Sequence, residues 1–380
     1  MPAEDVETRT TAAVPYTVRY RDGTSIKHGD GPAAFTISVA DEQQLRKFLT
    51  ADDYSAALAF LRGEFDVSGD LFAALRFKQS HSRRGWRHWL YAWAAKWVPR
   101  IESWWQSKDR AASNIQFHYD RSNAFYRLFL DSRMVYSDGY FDPPGCSLDE
   151  AQEAKLDGLC RELDLRPGDR FLDVGCGWGG LIFHAAGRYG VSATGCTLSA
   201  EQHKFVGEAI AERGLSGRVA VELADYRDLS GTFDKIASVG MFEHVGRRRL
   251  GTYFRKIHAL LAAGGRFVNT GITRPQPAKD DRQSGFVADR VFPGGELAHL
   301  SAVVREAENA GFEILRIEQR REHYGRTCRA WVANLQRNER EAIALVGRET
   351  YRTWLLYLAG SAWNFAAGHL GTEQVLMGRR

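Results

Sequence analysis

The stretch Asp173-Val174-Gly175-Cys176-Gly177-Trp178-Gly179-Gly180 follows a short apolar run, Arg170 to Val174, and precedes a helical pattern. Glycines at 175, 177 and 179 let the backbone turn tightly and approach a ligand closely. A dinucleotide site of this type has an acidic residue at the end of the second strand to hold a ribose, and none stands there. Asp173 would repel a pyrophosphate and attract a cationic amine, so the loop points to S-adenosylmethionine rather than NAD. The second strand leads into Thr197-Leu198-Ser199-Ala200-Glu201-Gln202. Ser199 and Gln202 have the spacing of a capping box, so Ser199 reads as a helix cap and Gln202 as either cap partner or cofactor ligand. Asp225, after the third strand, is placed to accept from an adenine amino group. Glu243 puts a carboxylate after the fourth strand, where a transferred methyl would lie. His118, His184, His244 and His323 read as structural, and nothing near Cys176 marks an activated thiol.

These residues need a scaffold that gathers strand ends. From Ser147-Leu148-Asp149-Glu150, a capping box, a helix runs to about Leu165, and Pro167-Gly168 turns into the strand 170–174. Further strands are expected near 192–196, 218–223, 233–239, 265–270 and from Gly311 to Glu318, with helices between most of them. This rhythm implies an α/β fold with a mostly parallel, Rossmann-like sheet and ligands at the strands' carboxyl ends. After Tyr324 the pattern reads as helical to the end. Residues 1–15 read as a disordered tail, and 16–110 as a smaller mixed unit. That unit opens with a hairpin around Arg21-Asp22-Gly23, followed by helical patterns over 41–61 and 71–77. The remainder, 111–380, reads as the catalytic domain.

With 380 residues, 44% of them hydrophobic, the chain can bury a large core. Five cysteines without a C-x-x-C pair suggest neither a disulfide framework nor a zinc site, which fits a reducing cytoplasm. Neither a signal peptide nor a membrane span is expected. Charge is uneven: Lys78 to Arg110 has a net charge of +6 in a chain whose formal charge is +4, and it holds six of the ten tryptophans. Trp86, Trp89, Trp93, Trp97 and Trp104 recur at helical spacing within the segment 81–105. Indole rings flanked by cations suit a bilayer interface. A helix packed on the next domain and a stacking platform for single-stranded nucleic acid are the other readings.

The motifs resemble those of the cyclopropane-fatty-acid synthases and related fatty-acid methyltransferases over nearly the whole chain. The resemblance rests on His118-Tyr119-Asp120, DSRMVYSDGY from Asp131, EAQEAKLD from Glu150, LDVGCGWGGL from Leu172, LSAEQ from Leu198, DYRDL from Asp225, SVGMFEHVG from Ser238 and VFPGGEL from Val291. LRGEFDVSGDL from Leu61 and EHYGRTCRAWVANL from Glu322 also match. The resemblance implies a class I S-adenosylmethionine-dependent methyltransferase with an N-terminal accessory domain, acting on a double bond in an acyl chain of a membrane phospholipid. It implies a cytoplasmic protein, peripheral on the inner face of the cell membrane, with no nucleic-acid partner and with a homodimer left open. Asp142-Pro143-Pro144-Gly145 superficially resembles the D-P-P-Y motif of amino methyltransferases but lies before the cofactor loop and reads as a turn. By resemblance, the cofactor ligands are Tyr119, Tyr136, Ser137, Gly175, Gly177, Thr197, Leu198, Gln202 and Asp225.

In the family's cyclopropane synthases a bound bicarbonate takes the proton that leaves after methyl transfer. Glu243 and Tyr324 match two of its anchors, and Ile272 falls at a third. Asp138 replaces the cysteine anchor and Thr270 the histidine. An added carboxylate beside Glu243 and bicarbonate would crowd anions, so Asp138 reads as the proton acceptor itself, with Glu243 and Tyr324 orienting it. The plainer reading has Asp138 capping a turn and bicarbonate bound as usual. The product is then a cyclopropane or a methyl- or methylene-branched chain, while a lipid-binding descendant without activity is the rival reading.

Overall fold

The computed structural model describes residues 14–81, 122–275, 285–291 and 296–380. Tyr119, the start of the catalytic domain near 110 and nearly all of the Trp-rich segment lie outside the described residues. The described chain divides into two compact units: residues 14–81 cluster with Arg348–Gly360, and residues from 122 to 347 cluster with Ser361–Arg380.

In the first unit, β1 (Tyr16–Tyr20) and β2 (Ser25–His28) form the expected antiparallel hairpin, and β3 (Phe35–Val39) runs parallel to β1. The helical pattern over 41–61 is two helices, α1 (Glu42–Thr50) and α2 (Asp53–Leu61), capped by Asp41 and Asp52. The fourth strand, β4 (Asp66–Gly69), and α3 (Leu71–His81) complete the unit's N-terminal part. The segment Arg348–Gly360, read from sequence as part of the catalytic domain, joins this unit through Arg352. Its buried guanidinium donates to the Phe60 carbonyl (2.7 Å) and to Asp66 Oδ2 (2.8 Å).

The second unit opens with α4 (Asn123–Arg127) and α5 (Leu148–Glu162), the latter carrying the expected reciprocal capping box of Ser147 and Glu150. Then follow β5 (Arg170–Val174), α6 (Gly180–His184), β6 (Ser192–Thr197), α7 (Ala200–Glu212), β7 (Val219–Leu223) and β8 (Phe233–Val239). After them come α8 (Leu250–Leu260), β9 (Leu261–Thr273), α9 (Gly285–Arg290), α10 (Leu300–Asn309) and β10 (Glu313–Gln319). The C-terminal region is helical as read through α11 (Arg321–Arg337) and α12 (Glu339–Ala366), the latter broken at Gly347 (φ 78°). It is not helical to the end: Gly371–Gly378 forms β11.

The seven strands order as β10-β11-β9-β8-β5-β6-β7. From β9 to β7 the pairs are parallel, and β11 is antiparallel to both neighbours. Each face of the sheet is covered. Leu156, Leu159, Phe171, Ile182, Val206, Val268 and Leu376 pack in one core. Leu172, Val174, Phe254, Ile257, Phe267, Val375 and Met377 pack in the other. Alternation along β9 therefore puts Thr270 and Ile272 on the face of Val268, toward α5.

Candidate active site

After β5 the chain passes through Gly175 (φ 83°), Gly177 (φ 55°) and Gly179 (φ 85°), the left-handed region that side chains with a Cβ rarely enter. A Cβ on Gly175 would also stand 2.9 Å from Met241. The loop walls a cavity of about 80 Å³, whose lining includes Tyr136, Ser137, Lys155, Asp173, Gly175, Gly177, Trp178 and Gln202. Burial pushes Asp173 up to about 7, against the pull of the Lys155 charge.

Five of the nine cofactor ligands expected from sequence thus share this cavity: Tyr136, Ser137, Gly175, Gly177 and Gln202. Thr197 stands behind them, donating from its hydroxyl to Gln202 Oε1 (2.7 Å), which aims that amide. Ser199 accepts from the Gln202 backbone N–H, the capping role assigned to it. Leu198 and Asp225 lie at the ends of β6 and β7, outside the cavity lining. Both Asp225 oxygens accept from the Arg227 guanidinium, at 2.8 and 2.5 Å. An adenine amino group would share that carboxylate with Arg227, a contact the sequence reading did not foresee.

Between α4 and α5 the segment 136–141 is irregular, and side chains from other elements pin its backbone. Gln152 Nε2 donates to the Ser137 carbonyl (2.7 Å) and Lys155 Nζ to Ser137 Oγ (2.7 Å). From α11, Thr327 Oγ1 accepts from Gly139 N (2.9 Å) and His323 Nδ1 from Phe141 N (3.0 Å). Asp138 is held there at 1% exposure, and its Oδ2 has no hydrogen-bond partner among the described residues. Burial drives its carboxyl above the usual range while Lys155 pulls the other way.

Glu243 sits on the 3₁₀ turn Phe242–His244 after β8. Its Oε1 accepts from the Ile272 backbone N–H (2.6 Å), so Ile272 acts through its main chain. Glu243 Oε2 has no partner among the described residues. Burial, with the Asp138 charge adding to it, raises the Glu243 carboxyl to about 7. Thr270 is buried with its hydroxyl equally unpartnered. Thr372, which pairs with Ile272 across β9 and β11, is the same. Tyr324 lies one turn before Thr327 on α11, stacked on Phe365 (4.5 Å, 14°) and edge-on to Trp331 (6.2 Å). Buried polar atoms are nearly always paired, so the oxygens on Asp138, Glu243, Thr270 and Thr372 that lack partners among the described residues are candidates to meet a polar guest.

His184 Nε2 lies 3.5 Å from Asp157, burial lowers His244 to about 4, and His323 positions the Asp138 segment; His118 is outside the described residues. Pro143 to Cys146 is a turn, closed by Cys146 N donating to the Pro143 carbonyl. Sequence reasoning missed Gln152, Lys155 and Thr372. The EAQEAKLD motif contained the first two without showing that both face inward.

Gly271 lies between Thr270 and Ile272, and a Cβ there would run into the Phe242 ring. Gly271→Ala is expected to cost about 1–3 kcal/mol by overpacking, read as a lower urea midpoint with an unchanged m-value. The displaced ring would carry its neighbour Glu243 with it, lowering turnover as well.

Comparison with known proteins agrees with this fold. The mycolic acid cyclopropane synthetase family matches residues 106–375. A probable fatty acid methyltransferase of Pseudomonas putida is 39% identical over 370 residues, covering 96% of this chain and 91% of that protein. The solved cyclopropane synthase MmaA2 of Mycobacterium tuberculosis superposes with a TM-score of 0.68 at 33% identity, covering 70% of this chain and 98% of its own. The mycolic acid cyclopropane synthase CmaA1, solved with SAH and CTAB, gives 0.67 at 36% identity, covering 70% and 97%. A glycine loop walling a polar cavity, a class I sheet and these matches together place the chain in the mycolic acid cyclopropane synthetase family, as an S-adenosylmethionine-dependent methyltransferase of fatty-acid type.

Proposed function

We propose that the chain methylates a double bond within an unsaturated acyl chain of a membrane phospholipid, and that Asp138 takes the departing proton. S-adenosylmethionine supplies an electrophilic methyl group. The alkene's π electrons form the new carbon–carbon bond as the methyl–sulfur bond breaks, leaving a carbocation on the neighbouring carbon. Tyr136, Trp331 and Tyr324 supply aromatic faces that stabilise such a cation, and burial keeps out the water that would trap it. A C–H bond beside the cation then gives its proton to a base within hydrogen-bond reach.

One observation carries this reading: the buried Oδ2 of Asp138 and Oε2 of Glu243 both lack a hydrogen-bond partner among the described residues, and the two groups are near enough for the Asp138 charge to raise Glu243. A bound bicarbonate would add a third negative group at that place. The unpartnered hydroxyls of Thr270 and Thr372 favour a second reading, in which they donate to bicarbonate while Asp138 stays protonated. Assays in carbonate-free buffer separate the two: undiminished turnover is expected, and loss restored by added bicarbonate supports the second.

The bilayer is the proposed partner because of the sequence between 81 and 105, whose indoles and cations suit an anionic interface. Among the described residues no helix is long and apolar enough to cross a membrane, so a peripheral attachment is proposed. The test is mass spectrometry of lipids from cells expressing the protein with methyl-deuterated methionine. Phospholipid acyl chains gaining one carbon and keeping all three methyl deuterons are expected, because a base at Asp138 reaches a chain proton. Two retained deuterons in a ring would mean cyclopropanation, and no gain in any phospholipid would overturn the substrate class.

A further inference from the structure

Lys155 is a buried cation that forms no ion pair among the described residues. It lies on α5 at 2% exposure, and its Nζ makes one hydrogen bond, to Ser137 Oγ at 2.7 Å. Among the described residues no carboxylate comes within 4.0 Å of it. An ammonium has three donors, so two are unused. Buried ammonium groups of this kind either pair or lose their proton. Burial does pull this one down, to about 8, yet Asp138, Asp131 and Asp173 hold it above neutrality.

The three acids do not pair with it directly. Asp131 spends its oxygens on the backbone N–H groups of Val135 (2.7 Å) and Arg133 (3.0 Å). Asp138 keeps a lone Oδ2. Asp173 lines the same cavity as Lys155, and no donor among the described residues bonds its carboxylate. The cavity wall therefore offers one unpaired cation and one unpaired carboxylate, with Ser137 and Gln202 between the glycine loop and α5. A ligand with an ammonium and a carboxylate on one carbon would answer both charges at once, and the methionyl end of S-adenosylmethionine is such a group.

We propose that Lys155 is the counter-ion of the cofactor's α-carboxylate, with Asp173 receiving the α-ammonium. Ser137 Oγ accepts from Lys155, and its own O–H, which donates to no acceptor among the described residues, can donate to the same carboxylate, so the lysine also orients that hydroxyl. This assignment holds whichever group takes the substrate proton.

The test compares equilibrium binding of S-adenosylhomocysteine with that of 5′-methylthioadenosine, which has the nucleoside and sulfur but no amino-acid end. In Lys155→Met the homocysteine ligand is expected to bind about 10–100-fold more weakly, the range of a lost charged hydrogen bond, while methylthioadenosine stays within about twofold. Equal losses for both ligands would mean that Lys155 only supports the fold, and no loss for either would remove it from the cofactor site. Should Lys155→Met fail to fold, the methyl ester of S-adenosylhomocysteine replaces the mutation. The wild-type chain is expected to bind the ester about 10–100-fold more weakly than the acid, and Lys155→Gln to erase that difference. Equal wild-type affinity for ester and acid would overturn the proposal.

Discussion

Asp138→Asn is expected to lower turnover by about 10²–10⁴-fold, the range for loss of a positioned base, and at the same time to stabilise the protein above neutral pH. Both effects follow from one buried carboxyl. Asp138 and Glu243 have folded-state pKa values above their ordinary ones, Glu243 moving from 4.5 to about 7. A group raised in this way contributes stability below its unfolded pKa and loses it as pH rises through the folded value. Stability from Glu243 is therefore present at pH 4 and gone by about pH 7. Asparagine removes one of the two charges and the repulsion that helps raise the other. The difference in melting temperature between Asp138→Asn and wild type should grow from pH 5 to pH 7.5, and the rising limb of the residual rate, which belongs to the pair, should shift to lower pH. A variant that keeps its turnover, or a temperature difference flat in pH, would reduce Asp138 to a turn residue.

Trp331→Ala is expected to cost about 3–5 kcal/mol, as for other buried aromatic truncations. The indole is 1% exposed, with Tyr136 at 5.1 Å, Tyr324 at 6.2 Å and Phe129 at 6.3 Å between ring centroids. It joins α11 to the segment that carries Asp138, so its removal undermines the site's wall together with the core. Its Nε1 has no acceptor among the described residues. Trp331→Phe, which drops that donor and keeps an aromatic face, should cost far less than alanine. Urea denaturation of the two variants measures the difference, and equal losses would mean that a phenyl ring recovers nothing and the whole indole is needed.

The strand rhythm from 170 to 270 and the glycine loop were legible because each is a local rule: a period, or a turn that demands positive φ. The Ser147 and Glu150 cap is another. β11 was not legible. Val375 and Met377 pack in one core and Leu376 in the other, and a strand buried on both faces shows no alternation to read. Only pairing with β9 and β10 makes it a strand. Asp225 was read as a free acceptor because its competitor, Arg227, is decided by side-chain geometry rather than by spacing. Lys155 appeared in the sequence only as part of the EAQEAKLD motif. Its burial depends on Ser137 and the glycine loop, eighteen residues before it and twenty after, which meet only in the folded chain. The resemblance alone singled out Asp138 and Thr270, as expected substitutions at two anchors, where physics alone would pass over them.

The position of β11 also fixes an order of events during synthesis. Strands β9, β8, β5, β6 and β7 can pair in that order once residue 273 is available, but the sheet's other edge waits for residue 378. At about 5–20 residues per second, the ribosome takes roughly 5–20 s to add that last stretch. Throughout that interval β9 presents a bare row of backbone donors and acceptors, the kind of edge on which nascent chains join one another. A chaperone that caps β9, or slower aggregation when synthesis of the final hundred residues is sped up, would be the cellular trace of placing the last strand in the sheet's interior.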